Sequence, residues 1–310
     1  MSVVILLAAH VLAVLLMPIL MVGLVNRTKS WWGGRRGPKL SQSYWDLVRL
    51  LRKQPVFSSV TTPLFRAGAW VVLASSLLAA QIAPMFGALA PLQFSHDFIV
   101  FAYVLGLARI FLMLSAMDVG SSFEGMGTAR EASFTAFIEP ALFLLVGTAA
   151  LGTAQTSFAG AIGQFQGSAA YPWLVVPAGV VLFVLLQAEA ARVPVDDPLT
   201  HLELTMIHEV MVLDHSGPEL AAMQYAAAVK MTMYAGLIAA LLNPVDTMAD
   251  PVLGVAMSVL LMAAVAVAVG CVESLVARLR MRLVPRYLML ATGLAAVSLG
   301  VAGWIAGGGA

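Results

Sequence analysis

The chain has 310 residues, 61% of them hydrophobic and 11% charged, with a mean hydropathy of +0.92 and a formal net charge of +1. A soluble domain carries about a quarter charged residues, so this composition excludes a water-soluble globular enzyme, a disordered chain and a nucleic-acid binder. A lone cysteine, Cys271, excludes a disulfide framework, a cysteine zinc site and a self-contained iron–sulfur cluster.

A helix needs about 20 apolar residues to cross the hydrocarbon core, and eight runs qualify: roughly 3–25, 65–85, 98–117, 134–153, 172–189, 220–242, 252–272 and 287–306. They are continuous rather than alternating, which selects helices over barrel strands. The first run is too long for a cleaved signal peptide and lacks the basic flank. No glycine-rich phosphate loop, low-complexity tract or clear repeat interrupts the pattern. The expected fold is an all-α integral membrane bundle of about eight transmembrane helices, forming one membrane domain over 1–310.

Taken in chain order, the first connection, 26–64, is basic. A Gly/Pro strap through Arg36 leads into a segment with Leu47, Leu50 and Leu51 on one helical face and Arg49, Arg52 and Lys53 around the other. Such a segment suits the membrane interface and also a docking platform for a soluble partner; the two readings are compatible. Arg109 sits near the middle of span three. Glu139 lies about a turn and a half into span four, next to Pro140, which loosens a helix. Glu189 ends span five, with Arg192 at a spacing that permits pairing.

Connection 190–219 is dense in ionisable residues, and Pro194 and Pro198 predict an extended run at its start. That density beside a membrane mouth suits a funnel that collects protons or docks a partner. His201, His208 and His215 recur every seven residues, which is one face if helical. A metal site is one reading; pH-poised hydrogen-bonding groups are the other, favoured by the adjacent acids and the absence of cysteine. Lys230 lies near the middle of span six.

Fifteen of the 17 Lys and Arg fall on alternate connections: nine between Arg27 and Arg66, then Arg130 and Arg192, then four from Arg278 to Arg286. The opposite connections, 86–97, 154–171 and 243–251, carry none. The positive-inside rule therefore puts loops 26–64, 118–133, 190–219 and 273–286 in the cytoplasm and both termini outside, as in a multi-pass protein of the cell's inner (cytoplasmic) membrane.

Thirteen of the 16 acids also lie on the basic side or in the inner half of a span, leaving only Asp97, Asp246 and Asp250 outside. A charge inside the bilayer costs about 3 kcal/mol or more and marks a functional candidate. Buried pairs that merely hold helices together, such as Glu139–Arg109 or Glu189–Arg192, explain any one pair as well as function does. For the whole one-sided set, function is favoured. Apart from His10, the outer halves of the spans hold no Asp, Glu, Lys, Arg or His. A proton relay needs titratable groups or water at hydrogen-bond steps, so a path from the cytoplasm reaches mid-membrane and then needs a neighbouring subunit.

These residues carry a resemblance to the membrane subunit shared by respiratory complex I (its first subunit) and group-four energy-converting nickel–iron hydrogenases. The strap Arg36-Gly37-Pro38 followed by Gln42 and Asp46 matches the family pattern. So do Glu189, Arg192, Pro194, Asp196, Pro198 and Glu203, and the pair Arg130 and Glu139 nine residues apart. Two acids of the complex I pattern are replaced by Leu199 and His201. The stretches around Pro194–Pro198, His201–Glu209, Asp214–Gly217, Arg130-Glu131 and Glu273–Arg278 resemble the formate hydrogenlyase and hydrogenase-4 membrane subunit.

The resemblance implies a non-redox subunit that seats a hydrogenase-like large subunit and an iron–sulfur small subunit on antiporter-like membrane subunits. A nickel–iron centre and 4Fe–4S clusters are expected in those partners and no cofactor in this chain. The resemblance implies a proton path of Glu139, Glu189 and Glu203, with Arg130 and Arg192 as charge partners and Arg109 and Lys230 at mid-membrane. It implies a mouth facing the redox arm built from Asp46, Asp196 and Asp197, with Arg36 and Gln42. Glu131, Asp118, Glu209, Asp214 and Glu273 follow only the hydrogenase-like pattern and are assigned to the same mouth. A quinone-reactive subunit, with a cavity under loops 26–64 and 190–219, is the second reading, and a stand-alone antiporter the third.

Overall fold

The computed structural model describes residues 2–167, 172–197 and 206–306. Within them the chain forms α1 (Ser2–Trp32), α2 (Gln42–Leu51), α3 (Pro63–Ile82), α4 (Asp97–Asp118), α5 (Ser122–Thr153), α6 (Phe158–Gly167), α7 (Pro172–Glu189), α8 (His208–Met211), α9 (Gly217–Leu242), α10 (Pro251–Leu275) and α11 (Val284–Ala306), with no strand among the described residues. Seven of these, α1, α3, α4, α5, α9, α10 and α11, are long and apolar enough to cross a bilayer. The expected span at 172–189 is α7, whose 18 residues extend about 27 Å at 1.5 Å per residue. That falls just short of the ~30 Å hydrocarbon core, so seven crossings are plain and the eighth stays an expectation.

Proline and a side-chain cap fix several helix starts. Pro63, Pro218 and Pro251 occupy first-turn positions, where no N–H is needed, and Thr62 Oγ1 accepts from the Leu64 N–H at 3.2 Å. The expected connection 118–133 is instead mostly helix. After Gly120, at φ +73°, turns the chain, α5 runs unbroken from Ser122 through Pro140 to Thr153. Its first third is more polar than the rest, yet it holds no proline, and its two glycines do not interrupt the helix. The short helix α6 was not anticipated within 154–171 either.

The bundle is built around α9, of which 78% of the apolar window is buried, against 44% or less for the other long helices. Its neighbours are α1, α3, α7 and α10, while α11 lies along α5, α4 along α3, and α10 along α1. Alanines 221, 222, 226, 228, 235, 239 and 240 and Gly236 line the buried surface of α9, and small residues let membrane helices approach closely.

The described part of the segment after α7 packs inward. Residues 190, 191 and 193–196 are buried, as are Met206, Ile207 and Val210–Val212. The predicted extended run at Pro194 is a tight turn: the Arg192 N–H donates to Gln187 O at 2.8 Å and the Asp196 N–H to Arg192 O at 3.2 Å. The heptad of histidines makes no helical face, because α8 ends at Met211 and the chain turns before His215; His201 lies outside the described residues. Gly127 on α5 lets this segment lie against the helix, for a Cβ there would run into Val210, Met211 and the carbonyl of Ile207.

Candidate functional site

Five charged side chains from four helices meet inside the bundle. Arg109 on α4 is 3% exposed. Its Nη1 donates to Glu139 Oε1 at 2.7 Å, its Nη2 to Glu189 Oε1, and its Nε faces Glu131 Oε1 at 3.4 Å. The second oxygen of Glu189 accepts from Lys230 Nζ at 3.2 Å. The planar guanidinium has donors on three sides, which lets one arginine gather carboxylates from α5 and α7. Three carboxylates face two cations, and in a low-dielectric interior an uncompensated charge is costly.

Glu139–Arg109 was expected; Glu189–Arg192 does not form. The turn at 190–192, with Ala191 at φ +50°, carries Arg192 off the helix face, and it lies 3.4 Å from Glu273 Oε1 instead. The charge partners of Glu139 and Glu189 are thus Arg109 and Lys230 rather than Arg130 and Arg192. Arg130 donates to the carbonyl of Met206 at 2.7 Å and to Met126 Sδ at 2.9 Å. Glu131, expected at the mouth, belongs to the cluster, because α5 extends past it. Sequence reasoning also missed Tyr234. It is fully buried, its hydroxyl has no partner among the described residues, and its charged neighbours are Glu189 and Arg109.

Toward the basic end of the bundle the cluster adjoins a cavity of about 230 Å³. Val22 and Asn26 of α1, Gln224 and Ala228 of α9, and Arg192, His208 and Glu209 line it. His208 also feels Lys230 and Glu189, so it stands between cavity and cluster. Burial, aided by the Lys230 charge, holds its imidazole down at about 4 and therefore neutral. Burial and the nearby Asp196 push the Glu209 carboxyl up to about 7, against the pull of Arg192. Glu209 is therefore poised to take and give a proton near neutral pH.

Other expected mouth residues brace this end. Asp196 is 1% exposed, pairs with Arg278 at 2.8 Å and accepts the N–H groups of Asp197, Ile207 and His208; burial nevertheless raises its carboxyl. Glu273 is enclosed between Lys29 at 2.8 Å and Arg192. Asp118 accepts from the Thr62 N–H and hydroxyl at 2.7 and 2.8 Å, tying α4 to the start of α3. Asp46 on α2 accepts from Gln42 at 3.0 Å and pairs with Arg49 at 3.3 Å. Arg36 and Asp214 are exposed and Asp197 is partly buried. Glu203 lies outside the described residues. Among the described residues no three His, Cys, Asp or Glu side chains come together as metal ligands.

Two further cavities continue the first. One of about 160 Å³ shares Val22, Asn26, Gln224 and Ala228 with it and reaches Asp46 and Leu47. The next, about 300 Å³ and almost wholly apolar, lies beneath α2 between α1, α3 and α9.

The chain is 29% identical over 246 residues to hydrogenase-4 component C of Escherichia coli (strain K12), covering 77% of this chain and 74% of that one. It is 26% identical over 275 residues to formate hydrogenlyase subunit 4 of the same organism, covering 86% and 88%. It is 24% identical over 187 residues to a subunit of the NADH-quinone oxidoreductase of Rickettsia canadensis (strain McKiel), covering 57% and 54%. Its fold is similar to that of a chain in the membrane-bound sulfane sulfur reductase, an archaeal respiratory membrane complex, with a TM-score of 0.80 at 17% identity over 95% of this chain and 98% of that one. The family described as NADH dehydrogenase matches residues 4–303, so the chain, with its buried carboxylates and seven long apolar helices, belongs to that family.

Proposed function

We propose that this chain is the membrane-anchoring and proton-coupling subunit of a respiratory complex of the formate hydrogenlyase and hydrogenase-4 type. It seats a hydrogenase-like large subunit and an iron–sulfur small subunit on its basic, cytoplasmic end and passes protons toward antiporter-like subunits in the inner membrane. The carrying observation is the cluster of Arg109, Glu131, Glu139, Glu189 and Lys230, which His208 joins to the cavity holding Glu209. A helix-bracing role calls for paired charges; an unequal set of three acids and two cations, opening toward one end, suits proton exchange. The nickel–iron and 4Fe–4S centres belong to the partner subunits, since one cysteine cannot ligate them.

The test is proton-linked turnover by the whole complex. Glu189→Gln should abolish the link between redox turnover and proton uptake while the complex still copurifies with a hydrogenase-like large subunit. Unchanged coupling, or a chain that purifies alone and is fully active, overturns the reading.

The series of three cavities favours one second reading, a quinone-reactive subunit. The apolar chamber under α2 fits an isoprenoid tail, and Arg192, His208 and Glu209 would face a polar head able to exchange two electrons and two protons. Inhibition of the assembled complex by quinone analogues would select it.

A further inference from the structure

The connection from α3 to α4 does not begin on the surface, where connections ordinarily run. Residues 83–87 are buried, although α3 ends at Ile82, and the Leu92 N–H closes the loop on Gln81 O at 3.1 Å. Met85 and Phe86, both fully buried, point into the core. Met85 lies on Gly236 of α9, where a Cβ would come 2.5 Å from Met85 Cγ. Gly236 stands about 9 Å inside the end of α9 at Leu242. Tyr234, whose buried hydroxyl borders the charged cluster, is two residues further in. The loop therefore reaches down to where the cluster ends.

His10 of α1 holds it there. A helical carbonyl accepts from the N–H four residues on, and for Ala80 that residue is Pro84, which has none. His10 Nε2 donates to Ala80 O instead, at 2.8 Å, and its ring meets Phe86 edge to face. On the other flank Ala88 packs against Gly163 of α6, and Asp97 fixes the start of α6 by accepting the Phe158 N–H at 2.7 Å. Beyond α6, a cavity of about 30 Å³ between α5, α7 and α9 is walled by carbon apart from Thr148, whose hydroxyl donates to Leu144 O at 2.8 Å. Cavities so lined stay dry.

We infer that Met85 and Phe86, positioned by His10, form an apolar plug that insulates the charged cluster from the water at the end of the bundle opposite the basic loops. This rests on the coupling function proposed above and adds what keeps it from short-circuiting the membrane. A proton needs a titratable group or water at each step. His10 is the titratable side chain that touches the plug, and its proton-bearing nitrogen faces a carbonyl, which cannot take the proton on.

Two measurements on the whole complex test it. In the first, Cys271→Ser is the background, and Met85→Cys or Leu92→Cys is added in sealed right-side-out and inverted membranes. A membrane-impermeant maleimide, read on this chain by mass spectrometry, should label exposed Leu92→Cys from the face bearing loop 86–97. It should label Met85→Cys at least about tenfold more slowly, from either face. Adding His10→Leu should remove that protection, and His10→Gln, which keeps a donor for Ala80 O, should retain it. In the second, the complex in dye-loaded liposomes, without redox substrate, is given a pH gradient. Met85→Ser, which shortens the plug and brings in a hydroxyl, should dissipate the gradient faster than wild type, and adding Glu189→Gln should bring the rate back. Labelling of Met85→Cys as fast as Leu92→Cys overturns the plug, as does a Met85→Ser complex no leakier than wild type or a leak that ignores Glu189→Gln. Redox-driven proton uptake by Glu189→Gln is measured alongside. Unchanged uptake with Met85→Cys protected removes the coupling function and keeps the plug; lost uptake with Met85→Cys labelled does the reverse.

Discussion

Arg278 meets Asp196 at 2.8 Å, and this contact pins the loop between α10 and α11 to the turn that leaves α7. The same carboxylate receives the N–H groups of Ile207 and His208 at 3.2 and 2.8 Å, so it also fixes the start of α8. Asp196→Ala would take one carboxylate partner from Arg278 and leave those N–H donors unmatched, a loss of about 3–5 kcal/mol for a broken buried pair. The expected result is a lower thermal midpoint, with proteolysis or hydrogen exchange rising first across residues 206–212. Wild-type stability in that variant would show that Asp196 is not the brace.

Glu189 stands between two cations, Arg109 and Lys230. Glu189→Gln places a neutral amide between them, and Lys230→Met removes the ammonium that 94% burial of its side chain has taken from water. Each should cost about 3–5 kcal/mol, the penalty for stripping one partner from a buried ion pair. The double variant should cost less than the two together by about 1–3 kcal/mol, because the groups share one network. Denaturation of all four forms in the same detergent measures the cycle; simple additivity would mean that Lys230 and Glu189 do not depend on one another.

The spans were legible because hydropathy over about 20 residues is the property a bilayer responds to, and Arg109 and Glu139 stood out as charges within such runs. The place of α9 at the centre was not legible, since its hydropathy is no higher than that of α3 or α11; its alanines carry that information. Glu131 was misplaced because it precedes the apolar part of α5, and hydropathy says nothing about how far a helix continues into polar sequence. Residues 190–196 and 206–212 read as solvated from the acids and histidines around them. They are folded inward because Asp196, Arg130 and Arg278 satisfy polar groups that water would otherwise have to reach. No local pattern announces pairs separated by 82 residues of sequence, as with Asp196 and Arg278.

Glu209 should govern the pH dependence near neutrality. Burial raises its carboxyl from an ordinary 4.5 to about 7, so the folded chain binds its proton more tightly than the unfolded chain. The linked stability is fully present below about pH 4.5 and is lost as pH rises through about 7. His208 is shifted the other way, to about 4; its linked stability is present above its ordinary 6.5 and is lost only as pH falls through about 4. The Glu209 contribution to the thermal midpoint should therefore decline between about pH 4.5 and 7, while the His208 contribution grows over about pH 4 to 6.5 and offsets much of it; turnover should inflect near pH 7. Glu209→Gln should remove the inflection in turnover and leave a thermal midpoint that rises with pH up to about 6.5. A curve that keeps its inflection in Glu209→Gln assigns the titration to another group.

Two glycines close together on α5 should respond in opposite ways to the same added methyl group. At Gly127 a Cβ would strike Val210, sit 3.0 Å from Met211 Cγ and 3.1 Å from the Ile207 carbonyl. Val210 and Met211 are fully buried and a backbone carbonyl has no rotamer to retreat into. Gly127→Ala should therefore cost about 1–3 kcal/mol. It should also lift the segment carrying His208 and Glu209 away from α5, so that proton-linked turnover falls in complexes that still assemble. At Gly125 a Cβ meets nothing within 4 Å, and alanine is favoured over glycine in a helix by about 1 kcal/mol. Gly125→Ala should thus leave turnover unchanged and raise the thermal midpoint slightly. Equal effects at the two positions would mean that the close approach of residues 207–211 to α5 contributes nothing to placing His208 and Glu209.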